Sequence, residues 1–175
     1  MVRETRVTAG ELVAHACRGD QPAWDALVDR FQPLLWTIAR THGLDRASAE
    51  DAVQATWLRL VQKIGTLWDP ESVGSWLATV CRNEARALVR VPLPRHPPDA
   101  PAAGPTPEEQ ALARDHLTRT ATALSTLSDR CQGLLRLLAA AATYTEVSAA
   151  LNVPMGSIGP TRSRCLHHLQ EALGE

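Results

Sequence analysis

The sequence has no surplus of positive charge. Its 175 residues carry 18 basic and 19 acidic side chains, a net charge of -1, so a protein that grips nucleic acid unaided over a broad cationic surface is not expected. Lysine is nearly missing: Lys63 is the sole example, and every other base is arginine. Arginine suits bidentate contact with phosphate or guanine, although codon usage would produce the same preference. The chain has no signal-peptide pattern and no apolar run long enough to span a bilayer, which points to a soluble, cytoplasmic protein without membrane insertion. Glycine-rich phosphate loops, G-x-S-x-G and internal repeats are all lacking, so no nucleotide-driven or serine-hydrolase chemistry is expected. The four cysteines, Cys17, Cys81, Cys131 and Cys165, contain no C-x-x-C pair, and Cys165 with His168 is half a metal site at best. The expectation is four reduced, core-lining thiols, no metal, no cofactor and no enzymatic activity. Strand-like alternation of period two is absent as well, leaving an all-α fold.

What is present is a series of capped helical stripes. The most informative stretch runs from Tyr144 to Leu169. Thr143 precedes Glu146 by three residues, the spacing of a capping box. Val147, Ala150 and Leu151 share a face, Asn152, Val153 and Pro154 interrupt it, and Ile158, Cys165, Leu166 and Leu169 resume a stripe. Ser157, Thr161, Arg162, Arg164 and His168 lie largely off that stripe. Helix, tight turn and helix is the arrangement of a DNA-reading helix-turn-helix; plain packing explains such a pair as well.

Upstream, Thr8 and Glu11 open a short helix that Gly19 ends. Asp20 is placed to cap the next, with Pro22 in its first turn and Pro33 expected to kink or split it near Gln32. Asp45 caps a long helix, roughly Arg46 to Ile64, with Val53, Trp57, Leu60, Val61 and Ile64 inward and Glu50, Asp51, Gln54 and Leu58 outward. Read from the residues alone, that outer face is simply solvated. A loop from Gly65 to Gly74 holds Trp68, and Asp69-Pro70 leads into a helix to about Arg90, packed through Trp76, Leu77, Val80, Ala87 and Leu88. Arg82, Arg86 and Arg90 recur every four residues beside Asn83 as a basic stripe.

Seven of the twelve prolines fall between Pro92 and Pro107, where apolar periodicity vanishes. This reads as a semi-extended linker. Thr106, Pro107 and Glu109 begin a further helix, and Ser128 and Asp129 another. Two helical domains follow, 1–90 and 107–175, joined by the Pro-rich linker 91–106.

Three segments in this order carry a family likeness: A-E-D-A-V-Q-A-T-W-L-R-L at 49–60, S-W-L-A-T-V-C-R-N-E-A-R at 75–86, and Y-T-E-V-S-A-A-L-N-V-P-M-G-S-I at 144–158. With the proline-rich tether between the second and third, the chain resembles the extracytoplasmic-function (ECF) sigma factors of the sigma-70 superfamily, small two-domain initiation subunits of bacterial RNA polymerase. The resemblance implies that the first segment docks on the clamp helices of the polymerase's largest subunit through Asp51, Gln54 and Leu58. The second would read the −10 promoter region, with Asn83 on an exposed base, Arg82 and Arg86 on phosphates, and Trp68 stacked on a flipped base within the loop from Thr66 to Gly74. The third would read the −35 element through Ser157, Thr161, Arg162 and Arg164. Gly159 and Pro160 depart from the commonest family pattern, and Pro160 is expected to loosen the first turn of the recognition helix. The implied partners are core RNA polymerase, promoter DNA and an anti-sigma factor. Two rival readings remain: a free-standing helix-turn-helix regulator, and a sigma-like interaction protein that never touches DNA.

Overall fold

The computed structural model describes residues 7–89 and 118–174. The expected linker 91–106, the helix start at Thr106, Pro107 and Glu109, and Arg90 lie outside the described residues. Among those described, the chain is helical with short 3-10 turns and no strand.

Four helices form the first half: α1 (Ala9–Ala16), α2 (Gln21–Thr41), α3 (Arg46–Lys63) and α4 (Val73–Val89). The capping box of α1 is complete, with the Glu11 amide donating to Thr8 Oγ1 at 3.2 Å and the Thr8 amide to Glu11 Oε2 at 2.8 Å. Asp20 occupies the N-cap of α2 but makes no capping bond; its carboxylate turns to His15 Nδ1 at 3.3 Å. Pro33 neither splits nor ends α2, which runs unbroken across it. Phe31, Leu34, Leu35 and Ile38 are buried on both sides of the proline. At about 1.5–3 kcal/mol per buried side chain, they outweigh the roughly 3 kcal/mol that a mid-helix proline costs.

Asp45 caps α3 by accepting from the Ser48 amide at 2.8 Å. Val53 and Leu60 are buried as expected, whereas Val61 is 58 % exposed. It lies one residue beyond Leu60, about 100° round the helix and off the core face. Asp69 caps the turn at Pro70–Ser72 by accepting from the Glu71 amide. Within α4 the buried side is Val73, Gly74, Leu77, Ala78, Cys81 and Ala85; Ala87, expected inside, is exposed. An ion pair from Arg59 Nε to Glu84 Oε1 at 2.7 Å links α3 to α4.

The second half comprises α5 (helical over 118–126), α6 (Asp129–Ala139), α7 (Tyr144–Leu151) and α8 (Ile158–Leu173). The α7 capping box closes between Thr143 and Glu146, and Asn152 ends the helix in the left-handed region at φ 53. A 3-10 turn, Met155–Ser157, leads into α8. Pro160 is the third residue of α8. The first four amides of a helix have no intrahelical acceptor, so its missing N–H breaks nothing and the first turn is not disrupted. Ile158 and Cys165 are buried on α8, but Leu166 is 38 % exposed, narrowing the expected stripe.

The two halves share one core. Helix α7 lies on α4, and α6 lies against α2. Glycines make both approaches possible. A Cβ at Gly133 would stand 2.6 Å from Thr41 Cγ2, and one at Gly74 would collide with Phe31 and the Glu146 carboxylate.

Candidate nucleic-acid and partner interfaces

Three surfaces carry the residues singled out above. The first is the outer row of α3. Asp51, Gln54 and Leu58 are all exposed, and Leu58 is 62 % exposed with Val61 beside it at 58 %. Trp57 sits at the edge of this row, held by a 2.7 Å hydrogen bond from its Nε1 to Gln32 Oε1. Two large aliphatic side chains in water next to an acid and an amide form a small apolar patch with a polar border.

The second surface is the loop before α4 together with the α4 arginines. Trp68 is fully exposed and overhangs an open hollow of about 460 Å³ lined by Trp76, Thr79 and, from α7, Thr145, Ser148 and Ala149. Trp76, assigned to core packing from the sequence, is only partly buried and forms part of this wall. Asn83 and Arg86 are exposed, but Arg82 is not. Its Nη1 donates to the Ala149 carbonyl of α7, and its Nη2 reaches Asn83 Oδ1 at 3.4 Å. The expected stripe is thus divided, with Arg86 facing solvent and Arg82 facing the second half.

The third surface is α8. Arg162 and Arg164 are exposed and Thr161 partly so, with Arg164 Nη2 3.5 Å from Thr161 Oγ1. Ser157 is turned inward locally, its hydroxyl donating to the Pro154 carbonyl at 2.7 Å. The helix therefore presents two guanidiniums to solvent, while its first serine closes the turn.

Sequence reasoning missed the contact zone between the halves. Among the described residues, three buried side-chain polar atoms have no hydrogen-bond partner: Thr41 Oγ1, His42 Nε2 and Arg82 Nε. Thr41 faces Gly133, the Arg82 side chain meets Ala149, and His42 lies against Ala150 and near Arg86 and Arg82. Burial holds the His42 ring below its ordinary pKa of 6.5; the Ala150 backbone opposes this, and the two arginines add to it. Unpartnered buried polar groups each cost about 1–3 kcal/mol, so this contact is weaker than its apolar area alone suggests. The only advance signal was the position of His42 at a helix end. Its neighbours come from distant parts of the chain, Arg82 and Arg86 on α4 and Ala150 on α7.

The cysteine expectation also needs correction. Cys131 and Cys165 are joined in a disulfide, with Cα atoms 5.4 Å apart. Cys17 is exposed and Cys81 buried, both as free thiols.

Comparison with known proteins finds similar sequences and folds. The sequence family described as Sigma-70 region 2 matches residues 27–91, a span that includes α3, the Trp68 loop and α4. RfaY of Xanthomonas campestris pv. campestris, named as a probable RNA polymerase sigma factor, is 31 % identical over 132 residues, 70 % of this chain and 33 % of RfaY. The ECF RNA polymerase sigma factor BldN of Streptomyces coelicolor is 32 % identical over 74 residues, 42 % of this chain and 28 % of BldN. The chain thus spans about a third of the length of these two relatives. The RNA polymerase sigma factor CnrH of Cupriavidus metallidurans is 28 % identical over 171 residues, 87 % of this chain and 90 % of CnrH. In structure, CnrH in complex with the cytosolic domain of CnrY matches with a TM-score of 0.63 at 24 % identity, covering 95 % of this chain and 97 % of that one. RpoE of Bartonella quintana, solved with the anti-sigma factor NepR, matches at 0.62 and 23 % identity over 86 % of this chain and 96 % of that one. These two structures support the fold. Taken with the matched region and the three sequence relatives, the chain carries a Sigma-70 region 2 and is similar to RNA polymerase sigma factors, those of the extracytoplasmic-function type among them.

Proposed function

We propose that this chain is the promoter-specificity subunit of a bacterial RNA polymerase, binding the core enzyme through α3 and reading a −10 and a −35 element through its two halves. The observation that carries the reading is the exposed row Asp51, Gln54 and Leu58 inside the segment that matches Sigma-70 region 2. A buried partner surface accounts for why Leu58 and Val61 stand in water on an otherwise well-packed helix. A net charge of -1 fits a subunit whose grip on DNA is largely supplied by a larger machine.

In this reading Trp68 stacks on a base flipped into the hollow beside it, Asn83 bonds an exposed base edge, and Arg86 holds a phosphate. Strand separation is then driven by capture of flipped bases. Arg82 joins them only after it gives up the Ala149 carbonyl, so promoter opening requires α7 to leave α4. Arg162 and Arg164 reach the major groove from α8, where an arginine paired with a guanine discriminates by about 1–3 kcal/mol. Ser157 and Thr161 then act at the edge of that contact, the serine through the turn that it closes. A regulator of the anti-sigma class is a fitting partner, since CnrH and RpoE were each solved bound to another protein.

The test is run-off transcription with purified core polymerase and a library of promoter fragments. Initiation at defined sites that depends on adding the chain is the expected result. Tight promoter binding without polymerase, and no initiation with it, would instead point to a free-standing regulator.

A further inference from the structure

We propose that Cys131 and Cys165 are a redox-modification site that locks the recognition helix α8 onto α6, the disulfide form being the one competent to read the −35 element. The locking itself stands on geometry. The consequence for promoters rests on the function proposed above.

The two sulfurs are bonded although 34 residues separate them in sequence. Cys131 lies in the first turn of α6, its amide donating to Ser128 Oγ at 3.4 Å, and Cys165 lies near the middle of α8. Helix α8 has little else to hold it. Of its 16 residues only Ile158 and Cys165 are buried, one at its start and one seven positions on. The bond is thus a lateral tie for a helix whose one other fully buried side chain is Ile158, with Leu169 and Leu173 only half-buried. A cross-link of this kind acts mainly by restricting the unfolded or locally opened chain.

The four cysteines are not alike. Cys165 has no exposure and Cys131 is partly exposed, so an oxidant reaches Cys131 first. Cys81 is sealed in the first half, its thiol close to the Leu35 carbonyl at 3.4 Å and pushed up to about 11 by burial, which keeps it unreactive. Cys17 is exposed in the first half and unpaired with any thiol.

With hydrogen peroxide as oxidant, the Cys131 sulfur attacks one peroxide oxygen and the O–O bond breaks. One water leaves and Cys131 becomes a sulfenic acid. The Cys165 sulfur then attacks the Cys131 sulfur, the S–O bond breaks, and a second water carries away the hydroxyl. Two thiols lose two electrons and two protons, and one peroxide becomes two waters. A dithiol reductant reverses the bond by two exchanges, closing its own disulfide. A polymerase subunit works against the reducing thiol pool of the cell, where disulfides are as a rule transient and redox-sensing.

The test uses the full chain. Alkylation and mass measurement after peroxide should show two fewer free thiols than after a dithiol reductant, and Cys131→Ser should abolish the difference. Cys17→Ser should preserve it. The oxidised chain should melt at least about 5 °C above the reduced one, with Cys131→Ser melting alike in both conditions. With core polymerase, oxidation should raise initiation from −35-dependent fragments at least about fivefold and leave Cys131→Ser unmoved. No thiol loss, or no shift in melting, overturns the site. A full thiol and melting response with equal initiation in both forms overturns the effect on promoter reading. Absence of initiation in either form counts against the proposed function, while the thiol and melting measurements still decide the lock.

Discussion

Leu58 is 62 % exposed on α3 and contributes almost nothing to the fold of the isolated chain. Leu58→Glu should therefore leave the melting temperature nearly unchanged, within the roughly 0.5 kcal/mol typical of surface substitutions. The same change should weaken core-polymerase binding at least about tenfold, the scale of a desolvated interface residue. A binding titration that shows no loss would remove α3 from the docking surface. His42 behaves in the opposite way, because its surroundings are internal. Burial first, then Arg86 and Arg82, lowers its pKa from 6.5 in the folded chain, against the opposing Ala150 backbone. The unfolded chain then takes up the proton at higher pH than the folded one. Stability is full above about 6.5 and falls as pH drops through the lowered folded value. Thermal melts between about pH 7.5 and 5.5 should show a steeper loss in the native protein than in His42→Asn. Parallel curves would mean that another group sets the acid response.

At the scale of the helix, local chemistry decides the boundaries and distant packing decides the faces. Thr8 with Glu11, Asp45, and Thr143 with Glu146 all cap where their spacing placed them, because a cap is closed within four residues of chain. Thr143→Ala should cost about 1 kcal/mol, read as a lower denaturant midpoint; no change in midpoint would show that the first turn of α7 is held by its neighbours and not by its cap. Proline rules served less well. Pro33 stays inside α2 because the buried side chains flanking it outweigh its penalty. Pro160 is harmless because it falls where a helix needs no donor. Val61 and Leu166 are apolar yet exposed, since periodicity ranks residues by face and does not say how wide the buried sector is. The three candidate surfaces were named from short motifs. The disulfide and the hydrogen bond from Arg82 to Ala149 were not, since each joins segments that no local pattern relates: 34 residues apart for the cysteines and 67 for Arg82 and Ala149.

For the whole molecule, the proposed function makes the closed arrangement the state to be undone. Gly133 lets α6 approach Thr41, and Gly133→Ala inserts a methyl group there while favouring the α6 helix itself by up to about 1 kcal/mol. The expected outcome is a larger radius of gyration by small-angle scattering at unchanged helix content, with polymerase binding no weaker than native. A compact variant, or one that binds less well, would show that closure does not compete with function. The approach at Gly74 reaches further. The carboxylate of Glu146 that would collide with any side chain there is the one that accepts from the Thr143 amide at 2.7 Å. A residue of the first half thus sets the room available to the clasp that starts a helix of the second. Grafting another protein's C-terminal module onto this chain would therefore leave a gap or a clash at residue 74, and a working chimera would have to exchange both positions together.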